Sequence, residues 1–145
     1  MPSTAGTLRR AAYILNSLGM HTGKQFAAAD SDALDVAAAI YFAAENTFPA
    51  EFATDETTSL AIIGASAPAV AAIRALSGSL ITEPPYTEMA PGVEVPDYVE
   101  HVSHWAATAP TFSTKPPTLS EVIGALHRAA QTADLATVPA QRTAA

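Results

Sequence analysis

The sequence predicts a mainly α-helical fold, a compact bundle of about five helices joined by long Pro-rich connectors. Apolar residues recur at the i, i+3, i+4 and i+7 spacing of one helical face in several segments. Alanine, which has the highest helix propensity, fills 33 of the 145 positions. Seven of the eleven prolines lie between residues 84 and 117, and they exclude one long regular element there.

The first two helices are expected in the N-terminal third of the chain. Residues 7–18 carry an apolar stripe, and Gly19 follows where a helix commonly ends. A link follows, with Phe26 as its anchor on the core. The second helix is expected to begin near Ser31 or Asp32, because negative charge is favoured in a first turn, and three acidic residues lie there: Asp30, Asp32 and Asp35.

The middle of the chain contains one ambiguous segment. Residues 47–57 read as a loop, whereas residues 59–65 form a short apolar run that fits either a buried strand or a helical turn. A helix is favoured, because no other segment offers a partner for a lone strand. Ser66 then resembles the N-cap of a further helix, with Pro68 in its first turn and Gly78 at its end.

The Pro-rich segment is expected to be irregular. Residues 79–96 should run extended over the surface, held down by Tyr86, Met89 and Val93. A short helix is predicted over residues 97–107, and another extended connector follows it.

The last helix has the clearest local signal. Thr118 and Glu121 form a T-x-x-E capping box, and apolar residues follow at helical spacing. We therefore expect a single domain over residues 1–135, followed by a disordered tail over residues 136–145.

Composition and charge exclude several classes of protein. There is no cysteine, so disulfides and thiolate metal sites are excluded. No signal peptide and no apolar run of about 20 residues is found, which predicts a cytoplasmic protein with no membrane segment. Twelve of the fourteen acidic residues lie between residues 30 and 100 beside a single base, Arg74. Nucleic-acid binding is therefore disfavoured, because phosphate is repelled there.

One cluster of residues could carry metal chemistry. Asp97 and His101, and likewise Glu100 and His104, are i, i+4 pairs on the short helix. These four residues are the candidate metal ligands, and a further ligand would have to come from elsewhere in the chain. The alternative interpretation is a solvated, locally hydrogen-bonded helix face.

Other motifs predict no catalytic residue and no cofactor. Gly23 and Lys24 suggest a phosphate-binding loop, but the spacing from Gly19 is one residue too short and Gln25 replaces the magnesium-binding hydroxyl. No nucleophile elbow and no Gly-rich dinucleotide motif is present.

Two stretches carry a resemblance to a known group of proteins. LRRAAYILNSLGMHTG (8–23) and HVSHWAATAPTFSTKPPTLSEVIGALHRAA (101–130) resemble a family of small uncharacterised proteins common in actinobacteria. The resemblance touches roughly half of the chain and rests on packing and capping patterns. It implies a fold and a host type, and it transfers no site residue.

Two functions are favoured over a third, nucleic-acid binding through Arg9, Arg10 and Lys24, which the acidic charge makes the weakest. The first is a non-enzymatic interaction or regulatory protein whose partner is another protein or a second copy, with Tyr86, Glu88 and Glu94 as candidate contact residues. The alternative is a protein or enzyme that binds a small ligand or a metal in a pocket near residues 79–104, with His101 and His104 beside it. Whether the chain is an enzyme stays open, although the missing catalytic motif favours a protein that is not one.

Overall fold

Within residues 3–144, six α-helices and one β-hairpin follow one another. The computed structural model describes the backbone of residues 3–144 and the side chains of residues 3–136. The helices are α1 (Thr4–Leu18), α2 (Val36–Glu45), α3 (Glu56–Gly64), α4 (Ala67–Ser79), α5 (Tyr98–Ala107) and α6 (Leu119–Ala144). A 3-10 helix (Ala50–Ala53) precedes α3, and strands β1 (Tyr86–Ala90) and β2 (Val93–Pro96) form the hairpin between α4 and α5. The predicted mainly α-helical fold is confirmed.

Alanine allows the helices to approach closely around one core. α1 packs most extensively against α6 and α2, while α4 contacts α1, α2, α5 and α6. α2 is buried over most of its surface, because it carries alanine on several faces around Ile40. Small side chains thus let this short helix lie in the middle of the bundle.

Helix boundaries follow the capping side chains. Ser3 caps α1, so this helix begins three residues earlier than the sequence predicted. α2 begins at Val36 rather than near Ser31 or Asp32, because the carboxylate of Asp35 accepts a hydrogen bond from Ala37 N and acts as its N-cap. The three preceding acidic positions therefore lie before the helix and not in its first turn.

Residues 59–65 lie within or directly after a helix, so the favoured interpretation of this segment is confirmed. Asp55 caps α3 through Thr58 N, and Ser66 caps α4 through Ala69 N, as predicted for Ser66. Because α3 is a separate helix that already begins at Glu56, the bundle has six helices rather than about five, and the expected loop over residues 47–57 is shorter. Gly78 does not end α4, which continues to Ser79.

The Pro-rich segment differs most from the prediction. Residues 86–96 form an antiparallel hairpin rather than an extended run, with Glu88 opposite Glu94 in its register. Gly92, at a φ of 77°, follows Pro91 in the turn, where a Pro-Gly pair favours a tight reversal. The three residues expected to hold the segment down are instead exposed on the hairpin: Tyr86, Met89 and Val93.

Within residues 3–144, no single helix is long and apolar enough to cross a membrane. Helices α3 and α4 reach the required length and hydropathy only when taken together, and this pair is bent by 97°.

The backbone of α6 extends to Ala144. Side chains after residue 136 lie outside the described part, so the disordered tail stays a prediction.

The predicted capping box at the start of α6 is present in both directions. Glu121 N donates to Thr118 Oγ1 at 3.2 Å, and Thr118 N donates to Glu121 Oε1 at 3.1 Å. We expect Thr118→Ala to lower the free energy of unfolding by about 1 kcal/mol, because it leaves a first-turn amide without its acceptor. Urea denaturation measures the loss. Ser120→Ala, an exposed hydroxyl on the same turn, is the control, and an equal loss in both variants would contradict the capping role.

Candidate functional site

A cavity of about 360 Å³ lies between the start of α2, one end of α3 and one face of α5. Its α5 wall consists of Glu100, Ser103, His104 and Ala107, the i, i+3, i+4 and i+7 positions of a single helical face. We call it the acidic cavity, because carboxyl groups make up three of its six ionisable and amide side chains: Lys24, Gln25, Asp35, Glu56, Glu100 and His104.

The loop between α1 and α2 positions one wall of this cavity. Its backbone folds back on itself, since His21 N donates to Leu34 O at 2.8 Å and Asp35 N donates to Phe26 O at 2.8 Å. Phe26 N donates in turn to the carbonyl of Phe52 at 2.8 Å. These bonds fix the loop to the start of α2 and to the 3-10 helix.

Asp35 is the most unusual residue of the acidic cavity. Its side chain is only 4% exposed, and one oxygen, Oδ2, accepts hydrogen bonds from Ala37 N at 2.8 Å and Ser103 Oγ at 2.9 Å. Burial raises the pKa of Asp35 to about 6, against the opposing influence of these bonds and of the nearby His21. The carboxyl group can therefore gain or lose a proton near neutral pH.

The backbone of Gln25 has a conformation that residues other than glycine rarely adopt. Its φ is 69°, in the left-handed region. The Oε1 atom of Gln25 is buried and has no hydrogen-bond partner among the described residues. Strained backbone and an unsatisfied buried oxygen both cost free energy. Strained residues cluster at functional sites, and a buried polar atom without a partner is uncommon in natural folds.

The four candidate metal ligands are not brought together as one site. Asp97 is the N-cap of α5, where it accepts hydrogen bonds from Glu100 N at 3.0 Å and Thr87 Oγ1 at 3.1 Å. Glu100 and His104 line the acidic cavity, whereas His101 faces α4. Among the described residues, no group of three or more histidine, aspartate and glutamate side chains could hold a metal ion.

His101 has a structural environment. Its Nδ1 lies 2.6 Å from Ser77 Oγ and its Nε2 lies 2.7 Å from Thr82 Oγ1, so both ring nitrogens are occupied. Burial, together with the nearby charge of His104, lowers the pKa of His101. A neutral, doubly hydrogen-bonded imidazole suits a link between α4 and α5 better than a metal ligand.

The candidate contact residues lie on the hairpin, away from the acidic cavity. Tyr86, Glu88 and Glu94 are all exposed, and the two glutamates face each other across the strands. A second cavity, of about 250 Å³, lies beneath the hairpin. We call it the apolar cavity, because aliphatic side chains predominate in its wall: Leu60, Val70, Ile73, Met89, Val95 and Val99.

Sequence reasoning missed the residues that define the acidic cavity. The sequence predicts Asp35 in the first turn of α2 rather than at its N-cap, and it gives no sign of the hydrogen bond from Ser103, a residue 68 positions later in the chain. Gln25 carries no sequence signal for a left-handed conformation. Of the predicted residues, Glu100 and His104 do lie in this cavity, and their i, i+4 spacing was the available signal.

Comparison with known proteins adds a family and no activity. Neither a curated protein nor a solved structure matches the chain. Residues 1–132 match a family described as a family of unknown function, DUF6197. The match covers nearly the whole chain, whereas the resemblance read from the sequence touched about half; the actinobacterial host type stays a prediction. The chain therefore belongs to the DUF6197 family.

Proposed function

We propose that this protein binds a small polar molecule in the acidic cavity, with Asp35 as the group that exchanges a proton with it. This is the ligand-binding alternative read from the sequence, moved from residues 79–104 to a site that also includes the α1–α2 loop. The observation that carries it is a carboxyl group almost fully buried in the wall of a cavity with space for a small molecule.

A buried carboxylate without a cation is costly. Moving an ionised group out of water costs several kcal/mol unless a partner compensates, and a structural role alone would be served by asparagine, which also caps helices well. The hydrogen-bond donors to Asp35 are nevertheless neutral, chiefly the amide of Ala37 and the hydroxyl of Ser103, and no cation of residues 3–136 forms an ion pair with it. A ligand that takes up the proton or supplies a positive charge would relieve this cost.

The unsatisfied oxygen of Gln25 supports the same site. A buried acceptor without a donor costs about 1–3 kcal/mol, and natural folds contain few of them. Gln25 lines the acidic cavity with its backbone in the left-handed region. The next residue, Phe26, is held in place by a hydrogen bond from its amide to the carbonyl of Phe52. A modest rotation of the side-chain amide of Gln25 would offer the acceptor to a ligand.

Fragment binding followed by NMR tests the proposal. We expect weak binders from a library of small polar fragments to shift the backbone amide signals of residues 23–26 and of Ser103. In Ala107→Trp, where an exposed alanine at the cavity wall becomes a large ring, binding should weaken at least tenfold, because the cavity is filled.

A matched variant separates a blocked cavity from a general effect of tryptophan. Ala71 is likewise exposed on a helix but lies outside the acidic cavity, so Ala71→Trp should bind the fragments as the wild type does. Equal binding in all three proteins, or shifted amides confined to another part of the molecule, would refute the proposal.

A second candidate function is protein interaction through the hairpin, the first reading of the sequence. The supporting observation is the exposure of Tyr86 (62%) and Met89 (69%) beside Glu88 and Glu94, two carboxylates directly opposite each other. Exposed apolar side chains next to two acids suit a partner that has a basic, partly apolar surface. A second copy fits less well, because its acids would repel these.

Affinity capture from host lysate, with nuclease added, tests this second candidate. A true partner should be retained by the wild type in stoichiometric amounts and lost both at high salt and in Glu94→Lys, which reverses one charge of the pair. Glu83→Lys makes the same charge change at an exposed position before the hairpin. A protein captured equally by both variants would argue against the hairpin as the contact surface.

The cytoplasmic location also stays a prediction.

A further inference from the structure

The acidic cavity and the apolar cavity share one residue in their walls. Leu60 of α3 lines both, and its side chain is 41% exposed. Glu56, one turn earlier on the same helix face, lines only the acidic cavity. The two cavities therefore adjoin at Leu60, with carboxyl groups on one side of it and aliphatic groups on the other.

The apolar cavity offers almost no free polar group. Its walls come from α3, α4, α5 and the hairpin, where Met89 and Val95 contribute aliphatic surface. Three polar side chains line it: Thr87 and Asp97, which are hydrogen-bonded to each other at 3.1 Å, and Tyr98, whose ring lies beneath the Arg74 guanidinium. A hydrocarbon group that enters it would meet mainly aliphatic and aromatic surface.

The acidic cavity has the opposite character. Three carboxyl groups line it, from Asp35, Glu56 and Glu100, beside one ammonium group, from Lys24. Among residues 3–136, one ion pair is present, and it joins Arg9 to Asp134. None of these three carboxyl groups therefore forms an ion pair with a cation of the described residues.

Two further observations show that this is more than a charged surface. The Asp35 carboxyl is more than nine-tenths buried, and the Gln25 Oε1 atom is buried without a donor. Asp35 has no cation at ion-pair distance among the described residues, and Gln25 Oε1 has no donor; an ammonium or a guanidinium group supplies both a positive charge and donors.

We propose that the two cavities together bind one amphiphilic cation, whose ammonium or guanidinium group occupies the acidic cavity and whose hydrocarbon tail crosses Leu60 into the apolar cavity. This inference rests on the proposed function, because the charged group uses the same cavity. It adds the class of ligand and assigns a second half of the site, beneath the hairpin.

A series of n-alkylammonium ions from ethyl to hexyl tests the inference in NMR titrations of the full chain. Affinity should rise about fourfold for each methylene group that is buried, which corresponds to about 0.8 kcal/mol each, until the apolar cavity is full. The n-alkanol of equal length should bind at least tenfold more weakly, and the n-alkanoate should not bind, because the carboxyl groups repel it.

Two variants should separate the two halves of the site. Val95→Trp, which fills the apolar cavity from β2, should flatten the rise of affinity with chain length. Glu100→Gln should lower the affinity for every ammonium ion several-fold, because it removes one negative charge from the acidic cavity. The rise of affinity with chain length should remain, because the apolar cavity is unchanged. Glu83→Gln, an exposed carboxylate outside both cavities, is the matched control and should leave both quantities unchanged.

The outcomes distinguish this inference from the proposed function. Alkanols or alkanoates that bind in the acidic cavity as well as the ammonium ions do would overturn the assignment of a cation and leave the proposed function standing. Affinity independent of chain length would overturn the apolar half. Failure of every ammonium ion to bind at 20 mM would overturn the whole inference, while the fragment screen decides the proposed function separately.

Discussion

Phe52→Ala is expected to lower the free energy of unfolding by about 3–5 kcal/mol, the usual loss for a phenylalanine removed from a packed core. Phe52 is completely buried in the 3-10 helix. Three aromatic rings surround it at centroid distances of 6.2 Å, 5.4 Å and 5.9 Å, those of Phe26, Tyr41 and Phe48. Because small domains are stabilised by about 5–15 kcal/mol in total, this variant should be marginally folded at 37 °C.

Urea denaturation followed by the fluorescence of the single tryptophan, Trp105, measures this loss. Phe48→Ala is the control, since Phe48 belongs to the same aromatic cluster but is 46% exposed and should cost much less. Equal losses in the two variants would contradict the central place of Phe52. The fragments that bind the wild type should also bind Phe52→Ala more weakly, because the buried ring anchors the 3-10 helix, whose carbonyl at position 52 accepts hydrogen bonds from the loop that carries Gln25.

Asp35→Asn is expected to stabilise the protein by about 3 kcal/mol at pH 8 and by much less at pH 4. The pKa of Asp35 is raised from 3.8 to about 6 in the folded state, so the folded protein binds more protons than the unfolded chain between these two values. Stability contributed by this group therefore falls as the pH rises from about 4 to 6 and stays constant above it. Asparagine keeps the N-cap and has no such dependence.

The comparison needs unfolding free energies of wild type and variant at pH 4 and pH 8, since other groups also titrate in this range. Asp55→Asn is a control of opposite sign. Asp55 also caps a helix, but it is exposed, and hydrogen bonds from Thr58 lower the pKa of Asp55. Its contribution is thus present above its unfolded pKa and is lost as the pH falls. A gain in Asp35→Asn that does not depend on pH would contradict the raised pKa.

A gain in stability at Asp35 would itself bear on function. Residues that natural sequences retain at a cost in stability commonly serve binding or catalysis. If Asp35→Asn is more stable and has lost fragment binding, the cost of the buried carboxyl is tied to the ligand. If it is more stable and binds unchanged, the proton exchange assigned to Asp35 is wrong.

The helices could be predicted because their signals are local. The capping box of Thr118 and Glu121, and Ser66 before Pro68, need no knowledge of the rest of the chain. The hairpin over residues 86–96 is not predicted, because the dense prolines favour an irregular, extended segment there. Pro91 and Gly92 in fact supply the reversal that lets two short strands pair.

The candidate site could be predicted only in part because it is built from distant segments. Glu100 and His104 share a helix face, so their proximity follows from spacing alone. The carboxylate of Asp35 accepts a hydrogen bond from Ser103, which lies on α5. The loop next to Gln25 is held by hydrogen bonds from the amides of Phe26 and Ala27 to the carbonyl of Phe52. No local pattern reports such contacts, and for that reason the sequence suggested a metal site on α5 instead.

The pairing of α1 with α6 has a consequence for how the chain folds during synthesis. These helices pack more extensively against each other than any other pair, yet about 100 residues separate them. Ribosomes add about 5–20 residues per second, so α6 is synthesised roughly 5–20 seconds after α1, and the apolar face of α1 is not covered by α6 during this interval. During that time Leu8 and Leu15, both completely buried in the finished fold, depend on α2 and α4 or on a chaperone for cover.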